Sequence, residues 1–146
     1  MLKDQLQQDL KSALLGGDKA KAEVIRGLKS AILYEEVAKN AREIGLDDAA
    51  ILVVLAREAK KRAESAQLYE QAGEHERAAT ERSEKAIIDA YLPAQLSDEE
   101  LDQKIDEAMQ ELGPNAPFGQ VIGAVKRLAG SAADGGRIAA AVKARM

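Results

Sequence analysis

Cysteine is absent from the 146 residues, which excludes disulfide scaffolds, thiolate metal sites, thiol redox chemistry and cysteine nucleophiles. Aromatic residues make up only 3% of the chain and tryptophan is missing. Tyr34, Tyr69, Tyr91 and Phe118 read as core-like residues, too few to stack single-stranded bases. A single histidine, His75, leaves no partner for a two-histidine zinc helix or a histidine metal cluster. Long apolar runs are missing as well. The longest, Ala49 to Ala56, is far too short to cross a bilayer. The opening stretch, Met1 to Lys11, carries charges where a signal peptide needs an uninterrupted apolar segment. The expectation is a soluble, cytoplasmic protein with no membrane partner.

What is present points to a folded chain. An apolar fraction of 46% is normal for a globular protein and excludes wholesale disorder. The length fits one ordinary domain or two small ones. A net charge of −4 argues against a coating of nucleic acid and gives no reason to expect DNA as a partner, while leaving a local basic patch open.

The patterning is almost entirely helical, with apolar residues at spacings of three and four and only three prolines. Leu2, Leu6, Leu10 and Ala13/Leu14 mark a first helix, stopped at Gly16-Gly17. Asp18 caps a second, with Val24, Ile25, Leu28, Ala31 and Ile32 in one stripe. Leu33, Tyr34 and Val37 point elsewhere, so this helix is expected to be covered on more than one side and to run towards Gly45. Asp47 caps a third helix reaching about Ala72, with Ile51, Val54, Leu55 and Tyr69 as anchors. Past Gly73, a fourth runs from about Glu74 to Tyr91, with Ala79, Ala86, Ile87 and Ala90 buried. Pro93 places a boundary, because the residue before proline avoids helical geometry. Ser97 and Glu100 form a capping box for a fifth helix with Leu101, Ile105, Ala108, Met109 and Leu112 inside. Two short helices follow, from near Pro117 and near Asp134. Phe118, Val121, Ile122, Val125, Leu128 and Ala129 line the first; Ile138, Ala141 and Val142 line the second. The expected fold is all-α: a bundle of about four helices over residues 1–92, then a small three-helix domain over 93–146.

The catalytic inventory is thin. His75 sits in a Gly-Glu-His-Glu turn, which reads as surface. Glu81 and Glu84 lie beside Arg77, Arg82 and Lys85, a mixed charge pattern that reads as an ion-paired helix surface. No phosphate-binding G-x-x-x-x-G-K-[ST] loop and no nucleophile elbow occur. An active site wholly within this chain is not expected, and neither is a metal or cofactor.

Charge is distributed unevenly at the C-terminal end. Residues 97–111 are net −6, whereas 115–146 are net +4 through Lys126, Arg127, Arg137, Lys143 and Arg145 against Asp134. Such asymmetry orients an anionic partner. Lys126, Arg127, Lys143 and Arg145 fall at helix C-termini, where the macrodipole alone favours cations. Arg127 and Lys143, however, project away from their apolar stripes and are expected to be free for phosphate. The Asp134-Gly135-Gly136-Arg137 turn has two readings: an Asp-capped helix start, or a backbone cradle that takes phosphate with help from Arg137. A basic cluster on the third helix, Arg57, Lys60, Lys61 and Arg62, has Glu58 and Glu64 nearby and reads as a solvated face.

The chain resembles the GatB/YqeY family over nearly its whole length. Leu2 to Ala13, Arg26-Gly27-Leu28-Lys29-Ser30-Ala31-Ile32 and Tyr69-Glu70-Gln71-Ala72-Gly73 fit the family in order. Most specific is Glu84 through Leu101, including Tyr91-Leu92-Pro93-Ala94-Gln95-Leu96-Ser97-Asp98-Glu99-Glu100-Leu101. Ala133-Asp134-Gly135 falls where the family carries a similar turn. Two positions depart: Gly130 to Ala133 is uncharged where a basic residue is common, and Glu74 stands where Arg commonly follows the Ala-Gly pair.

The resemblance implies kinship with the tail of the GatB subunit of glutamine-dependent aminoacyl-tRNA amidotransferase, a carbon–nitrogen ligase that uses glutamine as amido-N-donor. That tail helps to hold tRNA while other domains and subunits perform the chemistry. It therefore implies an accessory role in binding tRNA or aminoacyl-tRNA, with translation-related proteins as further partners. Lys126, Arg127, Asp134, Gly135, Gly136, Arg137 and Lys143 become the RNA-contacting candidates. A helical protein–protein adaptor with no RNA role is the alternative.

Overall fold

The computed structural model describes residues 1–146, with every side chain except that of Ser131. Two compact units make up the chain, Met1–Leu92 and Pro93–Met146. The described residues form helices and turns only.

The first unit holds α1 (Leu2–Leu15), α2 (Lys19–Ala38), α3 (Asp48–Gln71) and α4 (His75–Asp89). Each start has a local cause. The Asp18 carboxylate accepts the Lys21 N–H at 3.1 Å, and the Asp47 carboxylate accepts the Ala50 N–H at 2.8 Å, supplying partners to amides that the first helical turn leaves unpaired. Glycines at positive φ, Gly17 after α1 and Gly73 after α3, turn the chain where a side chain would be strained. Leu6, Ile25, Leu28, Ile32, Ile51, Leu55 and Ile88 form the centre of the core. α3 and α4 pair as a hairpin whose far part is different. There Ala66 and Ala78 are buried apart from the main cluster, and ion pairs Arg62–Glu84 (3.2 Å) and Arg82–Glu70 (3.0 Å) link the helices.

Three expectations are corrected in this unit. α2 ends at Ala38, well before Gly45, because Asn40 takes a left-handed φ of 53° and turns the chain. The following segment is fastened instead by Glu36, a buried carboxylate that accepts Lys3 Nζ at 2.6 Å and the Leu46 N–H at 3.0 Å. The outer face of α2 is not covered: Leu33, Tyr34 and Val37 are 45%, 78% and 53% exposed. On α4 the buried residues are Ala78 and Ile88, whereas Ala79, Ala86 and Ala90 are exposed. Alanine is exposed as readily as it is buried, so Ala78, Ala79 and Ala86 mark the direction of α4 poorly. The pairing of Glu84 with Arg62 accompanies the observed rotation.

The second unit consists of α5 (Asp98–Leu112), α6 (Phe118–Ala129) and α7 (Gly135–Arg145), with a 3₁₀ turn at Gly130–Ala132. Ser97 and Glu100 complete a reciprocal capping box: the Glu100 N–H donates to Ser97 Oγ at 3.1 Å, and the Ser97 N–H donates to Glu100 Oε1 at 3.2 Å. The donated amide and hydroxyl hold the Glu100 carboxyl below the usual carboxylate range. Leu101, Ile105, Val121, Val125, Ile138 and Val142 form a separate core. Phe118, expected inside, is 41% exposed at the first position of α6.

Candidate nucleic-acid interface

The turn into α7 is built in steps. Gly130 ends α6 at φ +58°, and the Leu96 N–H donates to the Ala132 carbonyl at 2.8 Å. Ala133 is buried in extended backbone, which sets Asp134 at the N-cap of α7. The Asp134 carboxylate accepts the Gly136 N–H at 3.1 Å. The capped-helix reading of this turn is therefore the geometry seen, and it uses one of the amides a phosphate cradle would need.

The arginines are not free. Arg127 donates to Glu111 at 2.8 Å, Arg137 to Asp98 at 2.9 Å, and Arg145 to Asp106, with a second bond to the Asp102 carbonyl at 3.0 Å. All four acceptors belong to α5. The sequence runs from negative to positive, but the fold lays the arginines of α6 and α7 over the acids of α5. The expectation that Arg127 is free for phosphate is corrected accordingly, since Glu111 in the last turn of α5 takes Arg127 in the last turn of α6.

Two cations remain. Lys126 and Lys143 are exposed, and neither has an ion pair or side-chain hydrogen bond among the described residues. Lys126 lies over the start of α7: a Cβ at Gly135 would meet its Cε at 3.4 Å and its Nζ at 3.5 Å. The candidates Lys126, Asp134, Gly135 and Gly136 thus share one end of the unit. Arg127, Arg137 and Lys143 sit on the same two helices, the arginines turned to α5.

The described residues contain no group of three His, Asp or Glu side chains able to hold a metal ion. No described helix is long and apolar enough to cross a membrane. His75 is 71% exposed, with Nδ1 2.9 Å from Glu70. Sequence reasoning missed two built polar contacts, both in the first unit. One is the buried Glu36; the other is Tyr91, whose hydroxyl donates to Asp9 across 82 positions of chain. Neither carries a local signal, because each depends on a partner far away in sequence.

Two all-helical units, the second a three-helix unit with a capped, glycine-rich turn into its last helix, define the class of this protein. The family model for Yqey-like proteins matches residues 3–146, and the chain belongs to that family. No curated protein matches the chain.

Proposed function

We propose that this chain is an accessory protein that binds tRNA or aminoacyl-tRNA through its C-terminal unit and performs no chemistry alone. The observation that carries the reading is the placement of Lys126: an unpaired ammonium over the first residue of a helix, whose N-terminal amides also favour an anion. Lys143, on the neighbouring helix, supplies a second unpaired cation. Surface ion pairs are weak, so a phosphate can take Arg127 from Glu111 or Arg137 from Asp98 on contact. With so few exposed aromatics, recognition rests on backbone and shape rather than on base stacking. Any part in glutamine-dependent carbon–nitrogen ligation would require other chains.

Binding of the purified protein to bulk tRNA across a salt series tests this. Expected is affinity that falls steeply with salt, and a Lys126→Ala/Lys143→Ala variant whose log–log slope is shallower by about 0.7–0.9 for each lysine that meets a phosphate. Unchanged affinity in that variant removes the site assignment. No binding at low salt removes the RNA reading.

A second reading draws on α2. Leu33, Tyr34 and Val37 form an exposed apolar strip, the kind of surface on which a partner helix docks. Protein partners that survive nuclease treatment and are lost from a Leu33→Asp variant of normal stability would favour this adaptor role.

A further inference from the structure

The first unit contains a cavity of about 390 Å³ lined by Gln5, Asp9, Lys21, Ile87, Ala90 and Tyr91. These residues come from α1, α2, the end of α4 and the turn after it. Its walls divide by chemistry. On one side stands the Asp9 carboxylate, fixed by two donors: Gln5 Nε2 at 2.9 Å and the Tyr91 hydroxyl. A carboxylate offers about four acceptor positions, so two fixed donors leave it able to accept more. Burial and the bond to Asp9 keep Tyr91 protonated well above the usual phenol range, so it stays a donor and Asp9 stays oriented.

Lys21 also lines the cavity; it is half-buried, and its ammonium has no acid or hydrogen-bond partner among the described residues. Residues of opposite charge therefore line one cavity without forming an ion pair with each other. A lone anion would meet Asp9, and a lone cation would meet Lys21. A ligand with both charges satisfies both groups. Ile87, Ala90 and the ring of Tyr91 add an apolar wall, and the volume lies near the small end of ligand pockets, about 300–1,000 Å³.

We propose that this cavity is a binding site for a small zwitterion of the α-amino-acid class with an aliphatic side chain, its ammonium on Asp9 and its carboxylate on Lys21. The two donors that hold Asp9 preorganise the anionic half, which lowers the cost of binding. This site is separate from the residues proposed to meet RNA, and its test does not depend on them.

The experiment is a titration of the full chain with L-leucine, followed by backbone amide NMR. Isocaproate and isoamylamine, leucine without its ammonium and without its carboxylate, serve as controls carrying one charge each. Expected is a saturable shift centred on Gln5, Asp9, Lys21, Ile87, Ala90 and Tyr91, with each single-charge analogue weaker by about tenfold or more, the worth of one hydrogen bond to a charged group. Lys21→Gln should weaken leucine by a similar factor, as should Asp9→Asn. Lys21→Gln leaves the Tyr91–Asp9 bond intact, so it separates a loss of binding from a loss of structure. The proposal is overturned by the absence of a saturable leucine shift, by analogues that bind as well as leucine, or by an unchanged response in a folded Lys21→Gln variant.

Discussion

Lys3 and Glu36 meet at 2.6 Å between α1 and α2, and the same Glu36 carboxylate takes the Leu46 N–H from the segment that leads into α3. One buried acid thereby fastens three parts of the first unit. The Lys3 ammonium is the main cause holding its carboxyl below the usual 4.5, with the Leu46 amide adding to it and burial opposing it. A carboxyl depressed in the folded state contributes stability that is complete above its unfolded value. That contribution is lost as pH falls below about 4.5 and through the lower folded value. Glu36→Gln should cost about 2 kcal/mol at neutral pH, within the range for hydrogen bonds to charged groups. It should also flatten the acid limb of stability against pH, read by urea denaturation. An unchanged acid limb would remove Glu36 as its source.

The Tyr91–Asp9 bond ties the end of the α3–α4 hairpin back to α1. Tyr91→Phe should cost about 1–3 kcal/mol, because Asp9 loses a donor in a partly buried place. The phenol's proton is held more tightly in the folded state than its ordinary value of 10.0. Stability therefore falls as pH rises above about 10, where an unfolded tyrosine ionises and the folded one does not. Absorbance of tyrosinate should show a late-titrating phenol in the parent protein that Tyr91→Phe removes.

Two glycines should respond in opposite directions to alanine. Gly45 has a φ of +80°, and a Cβ there would meet Glu36 Oε2 at 3.2 Å. Gly45→Ala combines backbone strain with a disturbed acid and should cost about 1–3 kcal/mol. Gly27 lies within α2 with nothing within 4 Å of an added Cβ. Gly27→Ala should stabilise by about 0.5–1 kcal/mol through helix propensity. Thermal melts of both variants check the pair.

The α5 acids should act as competitors of a polyanion. Glu111 and Asp106 occupy Arg127 and Arg145. Glu111→Gln/Asp106→Asn should therefore raise affinity for bulk tRNA and steepen its salt slope by up to about 0.9 per arginine engaged. Affinity and slope equal to the parent's would show that these arginines do not meet RNA.

Local chemistry is readable in the sequence, and distant chemistry is not. Asp18, Asp47, Ser97 and Asp134 announce helix starts because each cap acts on an amide two or three residues away. The apolar stripe of α7 is equally plain, with Ile138 and Val142 buried; those of α1 and α5 hold along most of the helix but fail at the end, where Leu14 and Leu112 are exposed. α4 misleads because alanine is cheap to bury and cheap to expose, so Ala79, Ala86 and Ala90 point in a false direction. Glu36 looks like one more surface acid; its burial depends on Lys3 and on a turn that Asn40 creates. The candidate interface is half legible. The positions of Lys126 and the Asp134 cap follow from sequence, but the pairing of three arginines with α5 follows only from how the helices stack.

The α3–α4 hairpin carries a gradient of cohesion. Near Leu55 and Ile88 it is part of the aliphatic core, whereas towards Gly73 it is held by Ala66, Ala78, the half-buried Arg62–Glu84 pair and the more exposed Arg82–Glu70 pair. Alanine contacts remove little apolar area from water, and an exposed pair such as Arg82–Glu70 adds little. Opening therefore begins at the tip and travels inward, so amide exchange spreads over a range of free energies along a single pair of helices. The hairpin is a graded spring, firm at its root and yielding at its end.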